Sequence, residues 1–170
     1  MKNIVVAFDR EHAIGRDNTL PWAGKLPADM RRFRELTTGD TVIMGRKTFE
    51  SLPPSYRPLP DRQNIVLSLG EVAGTGFQVA RSLAEAYALA EHDEVHVIGG
   101  SQIYELALPT ADCVYATEID TVIEDADAYL RGFNNDEWTE TLRADYPIDD
   151  RNAYGYSFIT YLRNHPADQV

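Results

Sequence analysis

Cysteine is almost absent from this chain of 170 residues: Cys113 is the only one. A single thiol excludes an intramolecular disulfide framework and any thiolate metal cluster. Long hydrophobic runs are missing as well. No stretch approaches the roughly 20 continuous apolar residues that a membrane helix requires. The opening Met1–Asp9 is a short apolar run closed by an acid, which reads as a first strand and not as a secretion signal. The expected location is therefore cytoplasmic. Positive charge is scarce, with 16 Lys+Arg against 27 Asp+Glu and a net charge of -11. That balance speaks against a nucleic-acid partner, because counterion release needs a basic footprint. The four histidines, His12, His92, His96 and His165, show no metal-ligand spacing and read as surface or strand residues. No serine or cysteine has a recognisable base beside it, so nucleophilic catalysis finds no support.

What is present suits one domain spanning 1–170: 44% hydrophobic residues, 25% charged, and no repeat, linker or low-complexity tract. Charge is divided unevenly. Residues 1–82 hold 12 Lys+Arg and 9 Asp+Glu, a net of +3, while residues 83–170 hold 4 and 18, a net of -14. The acidic half reads as a solvated face, and the basic groups of the first half invite an anionic ligand.

Apolar runs alternate with helical patterns. Strands are expected at Ile4–Phe8, Val42–Met44, Asn64–Ser68, Gly76–Ala80, Val95–Ile98 and Asp112–Ile119, with two late ones at Trp138–Tyr146 and Ser157–Leu162. Helices are expected from Pro27 to about Leu36, from Gly45 to Leu52, from Leu83 to about Glu91 behind a Ser82/Glu85 capping box, and from Ser101 to Leu108. A long loop separates Phe8 from Leu26, and Pro53, Pro54, Pro58 and Pro60 mark an irregular segment. Strand–helix alternation through residue 108 implies parallel strands with crossover helices, and the last two strands imply an antiparallel hairpin. The fold class is α/β: a central, mostly parallel, twisted mixed sheet flanked by helices. Ligands of such sheets sit at the carboxyl ends of the strands.

Three segments there carry chemistry. In the first helix, at about 100° per residue, Phe33 lies roughly 40° from Asp29, Met30 roughly 100° and Leu36 roughly -20°. Arg31, Arg32, Arg34 and Glu35 are assigned to the remaining arc, so Asp29 falls on the apolar face with no base beside it. An acid there is costly without a partner, and a polar ligand is the expected one. Next, Val42-Ile43-Met44-Gly45-Arg46-Lys47-Thr48 ends a strand in glycine and opens a helix with two cations and a hydroxyl, a pattern suited to phosphate. Ile98-Gly99-Gly100-Ser101 repeats the design without matching the usual dinucleotide glycine fingerprint. Two anion cradles and one buried acid suggest a phosphate-bearing organic cofactor, a polar heterocycle and hydride transfer.

Taken together, these segments resemble dihydrofolate reductase over essentially the whole chain. The motifs are Ala13-Ile14-Gly15 with Asn18, Leu20-Pro21-Trp22, Leu26-Pro27-Ala28-Asp29-Met30, Val42 through Leu52, Leu59 through Asn64, Val97 through Tyr104, and Tyr115 through Ile119. The resemblance implies NADPH-dependent reduction of 7,8-dihydrofolate to tetrahydrofolate in one-carbon and thymidylate metabolism, by a monomeric antifolate target. It assigns Asp29 and Thr117 to the pterin, and Leu20 and Trp22 to a gating loop. Val5, Ala7, Met30, Phe33, Leu52, Leu59, Ile98 and Tyr104 would line the substrate pocket, and Arg62 would pair with the carboxylate of the glutamate tail. For the cofactor it assigns Ala7, Ile14, Asn18 and Leu20 to the nicotinamide side. Gly45, Arg46, Lys47, Thr48, Leu67, Ser68 and Arg81 would serve the phosphates and adenosine, together with Ile98, Gly99, Gly100, Ser101, Gln102, Ile103 and Tyr104. Residues 124–130 depart from the family pattern, and no contact is carried over there. Two other readings use some of the same features: a riboflavin-pathway pyrimidine reductase of the same fold, and a non-catalytic pteridine or nucleotide binder.

Overall fold

The computed structural model of the chain describes residues 1–164; His165 lies outside them. Eight strands form one sheet in the order β5-β4-β3-β6-β1-β7-β10-β9. They are β1 (Lys2–Asp9), β3 (Thr41–Gly45), β4 (Gln63–Leu67), β5 (Gln78–Ala80), β6 (Val95–Val97), β7 (Cys113–Ile119), β9 (Trp138–Tyr146) and β10 (Tyr156–Arg163). β1, β3, β4, β5, β6 and β7 pair in parallel, and β10 runs antiparallel to both β7 and β9. The expected α/β architecture and late hairpin are thus present, with most element ends within two residues of the expected ones.

The inner strands are buried and mostly apolar, as parallel strands covered on both faces tend to be. Thr41–Met44 and Asn64–Leu67 are buried at every position. Helices α1 (Pro27–Thr37) and α2 (Arg46–Ser51) serve one face, where Phe33 and Leu52 pack against Val42, Met44, Phe49 and Val66. Helices α3 (Leu83–Leu89) and α4 (Ser101–Ala107) serve the other, packing on Ile4, Val6, Ile43, Ile65 and Val97. Ser82 caps α3 by accepting from the Glu85 backbone N–H at 3.1 Å, as its capping box implies. α1 has no side-chain cap from its own N-cap residue. Asn152, in the β9–β10 loop, accepts from the Ala28 N–H at 3.1 Å in its place.

One element pair was not expected. β2 (Ala13–Gly15) pairs antiparallel with β8 (Ala128–Tyr129), forming a small second sheet inside what read as a bare loop. Beyond β2 the chain reverses at Asp17 and Asn18, both at positive φ, and Arg16 and Thr19 exchange backbone hydrogen bonds around them. Short 3-10 turns at Pro54–Tyr56, Leu108–Thr110 and Asn135–Glu137 complete the elements.

Cys113 is 1% exposed, and burial pushes its thiol up to about 11. A thiol-specific reagent at pH 8 is expected to leave the native protein unlabelled and to label it stoichiometrically in urea. Rapid native labelling would contradict this packing.

Candidate active site

Connections leaving β1 and β6 run to opposite faces of the sheet, and adjacent strands that part in this way open a crevice at their carboxyl ends. The cleft found there has a volume of about 250 Å³. Alternation along β1 shapes its floor: Ile4, Val6 and Phe8 are buried in the core, while Val5 and Ala7 are half-buried and face the opening. In register, Ala7 lies beside Thr117 of β7. α1 supplies Asp29, Met30 and Phe33, α2 and the residue after it supply Thr48 and Leu52, and the β6–α4 turn with the first residue of α4 supplies Ile98, Gly99, Gly100 and Ser101. Ile14, Asn18, Leu20 and Tyr104 complete the group of expected residues that line the cleft.

Asp29 is half-buried, and Met30, expected on the buried face, is 47% exposed at the cleft. Burial raises the Asp29 carboxyl above its ordinary value, while the Thr117 hydroxyl and the Arg32 guanidinium pull it back down. The expectation that no base stands near Asp29 is therefore corrected. On the wheel Arg32 sits roughly -60° from Asp29, at the border of the apolar stripe, and its side chain turns inward under β7 and β10. Its Nη2 donates to the Ile159 carbonyl at 3.1 Å and its Nη1 to the Ala116 carbonyl. Tyr104 donates its hydroxyl to the Val5 carbonyl at 2.8 Å; burial, with Asp29 nearby, holds that phenol far above its ordinary value.

Other expected residues stand outside the lining. Trp22 is 2% exposed and packs with Leu26, Ile119 and Tyr156, so it anchors its loop while Leu20 faces the cleft. The Trp22 Nε1–H is buried without a hydrogen-bond partner in the described structure. Leu59 is buried behind Phe33 and Leu52, held by paired hydrogen bonds between its backbone and the Asn64 amide. Arg62 is fixed by Thr37, Thr38 and the Pro60 carbonyl, with its guanidinium 5.8 Å from the Phe33 ring. Arg46 pairs with Glu50 at 3.6 Å, and Lys47 is exposed beside it. Leu67 is buried in the core, Ser68 bonds within its own turn to Gly70, and Arg81 donates to the Leu69 carbonyl. Gln102 is exposed, and Ile103 is half-buried against the core.

Several lining residues were not foreseen: Val6, Gly15, Thr19, Ser51, Asp127 and Ala128. Asp127 matters most among them. Its carboxylate accepts from the Asp17 N–H at 2.9 Å and its own N–H donates to the Gly15 carbonyl at 3.1 Å, so it fastens the β2 lip of the cleft.

The glycines fit a phosphate-bearing cofactor on steric grounds. Gly45 and Gly100 precede α2 and α4 with no side-chain cap, leaving the first-turn N–H groups free of side-chain acceptors. Gly45 donates its N–H to the Gly99 carbonyl at 2.8 Å, and a Cβ there would lie 3.0 Å from Ile103. Gly99 has φ +119°, a conformation closed to other residues, and a Cβ would lie 3.3 Å from the Tyr104 ring. No cluster able to hold a metal ion occurs among the described residues.

Comparison with known proteins bears on this cleft directly. The family model described as dihydrofolate reductase matches residues 1–163. A type 3 dihydrofolate reductase of Salmonella typhimurium is 40% identical over 163 residues, covering 95% of this chain and 97% of its own. The dihydrofolate reductase of Bacillus subtilis is 37% identical, with 97% and 96% covered. Among solved structures, the Enterococcus faecalis dihydrofolate reductase complexed with NADP(H) and RAB-propyl superposes with a TM-score of 0.85 at 31% identity, covering 96% of each chain.

Proposed function

The chain belongs to the dihydrofolate reductase family and reduces 7,8-dihydrofolate with NADPH, and on that premise we propose which of its residues perform the reaction. NADPH supplies the hydride. Asp29 takes the pterin, its carboxylate accepting from the ring amide N–H and the 2-amino group. The observation that carries this assignment is one carboxylate on the cleft floor, desolvated by burial and backed by Thr117. A fixed anion favours the transition state in which the pterin gains positive charge, and low water content strengthens the effect. Leu20 and the rest of its loop cover the reacting atoms and meter the water that brings the proton. Val5, Ala7, Phe33, Leu52, Ile98 and Leu59 behind them supply apolar surface for the rings. Arg62, held in place by three hydrogen bonds, receives the glutamate carboxylate. A preset guanidinium loses little freedom on binding, which suits this task.

On the cofactor side, Ala7, Ile14 and Asn18 serve the nicotinamide end. Gly45, Thr48, Gly99, Gly100, Ser101, Gln102 and Ile103 serve the phosphates from the two helix starts. Arg46, Lys47, Ser68 and Arg81, with Leu67 beneath them, serve the adenosine and its 2′-phosphate. We also propose that the protein acts as a monomeric, one-domain cytoplasmic enzyme. Sedimentation at enzyme concentrations used for assays would test the monomer.

The test of function is the loss of nicotinamide absorbance with NADPH and dihydrofolate. Arg46→Ala is expected to raise the KM for NADPH by roughly tenfold or more, the worth of a charge-assisted hydrogen bond, and to leave the KM for NADH within about twofold. Equal loss with both cofactors would reject the 2′-phosphate assignment. Binding of both ligands without turnover would favour a binder over an enzyme.

A further inference from the structure

Arg32 is the one arginine of α1 whose side chain leaves the helix surface for the interior. Its guanidinium lies 4.5 Å over the Phe158 ring and donates to the carbonyls of Ala116 and Ile159. Nη1 also reaches the Thr117 hydroxyl oxygen at 3.4 Å. All of these acceptors are neutral. Arg10, Arg46, Arg143 and Arg163 each have a carboxylate within salt-bridge distance, whereas Arg32 has none among the described residues. A half-buried cation with neutral partners is expensive to place. Asp29 is the carboxylate whose field it shares.

Thr117 also acts on Asp29 through its side chain, and its hydroxyl has one proton and two lone pairs. Since Arg32 donates to its oxygen, the Thr117 proton is free to turn toward Asp29. We infer that Arg32 is a positioning residue for the reduction: from beneath β7 it orients the Thr117 hydroxyl as a donor to Asp29 and sets a positive charge on the side of the site where that carboxylate lies. This inference rests on the role proposed above for Asp29.

The other groups around the pair do not compete for this role. α4 presents the Tyr104 phenol, held far above its ordinary value by burial; β7 presents Tyr115, pushed up to about 12, and Cys113, pushed up to about 11. β9 presents the Tyr146 phenol toward Arg32. β1 presents only the apolar Val5, Val6 and Ala7 to the cleft, and the gating loop presents Leu20. Asp29 is the one carboxylate of this set, and burial raises it above its ordinary value.

The linkage has a definite sign. Burial raises the Asp29 carboxyl, and Arg32 and Thr117 lower it. Removing the cation therefore moves its titration midpoint upward. The test uses the complete chain with 13C-labelled aspartate, following the carboxyl resonance that Asp29→Asn deletes, alongside the pH dependence of kcat/KM. In Arg32→Gln the midpoint is expected to rise by roughly one unit, the smaller end of the effect of a nearby opposite charge. The inflection in kcat/KM that Asp29→Asn abolishes should move with it. Arg32→Lys, which keeps the charge, should hold the midpoint near wild type. Thr117→Val, which removes the relay and keeps Arg32, should raise it and serves if Arg32→Gln does not fold. An unmoved midpoint in Arg32→Gln with a lowered Tm would reduce Arg32 to a brace and overturn the inference. So would a Lys variant shifted as far as the Gln variant. Full activity in Asp29→Asn would instead overturn the role of Asp29 itself.

Discussion

Asp29→Asn is expected to lower kcat with dihydrofolate by about 10²–10³-fold, the usual cost of removing one preorganised electrostatic stabiliser. The substitution preserves shape and keeps a hydrogen-bond acceptor, so the backbone of α1 and the packing of Phe33 and Leu36 should be undisturbed. What disappears is a negative charge in a cleft that it shares with the apolar Val5, Ala7 and Ile98. The deficit should shrink as pH falls, because an acidic solvent supplies the protonated pterin that the missing carboxylate no longer favours. Single-turnover absorbance measurements across pH 5–8 would check both the size and the trend. A variant within threefold of wild type would mean that the reaction does not depend on this carboxylate.

Asp9→Ala is expected to lower the unfolding free energy by about 3 kcal/mol or more, since each stranded buried donor costs about 1–3 kcal/mol. Asp9 is 1% exposed at the end of β1. Its carboxylate accepts from the backbone N–H groups of Glu11 and Ala13 at 2.8 Å and of Ile123 at 2.7 Å. Alanine would leave all three donors facing a void. Domains of this kind are stable by only about 5–15 kcal/mol, so the loss is a large share. Urea unfolding followed by tryptophan fluorescence would measure it. A change under 1 kcal/mol would show that the two loops hold their course without Asp9.

Periodicity carried most of the fold into view. β3 and β4 are continuous apolar runs and α1 is a helix opened by Pro27, and such signals are local. The glycine at 45 and the pair at 99–100 were visible as the points where a strand gives way to a helix, although a glycine pair there marks a tight turn as often as a binding site. What escaped the sequence reading was produced by contacts between distant residues. β2 and β8 are three and two residues long, too short for any periodic signal, although Asp17-Asn18 is a dipeptide suited to a tight reversal at positive φ. Asp127 looked like one acid among many in an acidic half, and only its bonds to the Asp17 N–H and the Gly15 carbonyl make it a fastener. Arg32 was misjudged for a different reason. A helical wheel assigns faces by angle, and a side chain at the border of a stripe is long enough to reach the interior from outside it.

Asn152 gives the molecule an order in time. The residue that completes the first turn of α1 arrives 124 positions after the N–H it caps, held in place by Asp149 and joined by the Ala153–Lys25 backbone bond. A chain emerging from the ribosome can therefore assemble most of the parallel sheet while the helix that bears Asp29 still has a frayed start. The hairpin that pairs with β7 is what brings that cap to the first turn of the helix. A chain that stops short of the hairpin would lack the cap of the helix that bears Asp29 as well as the sheet's last two strands.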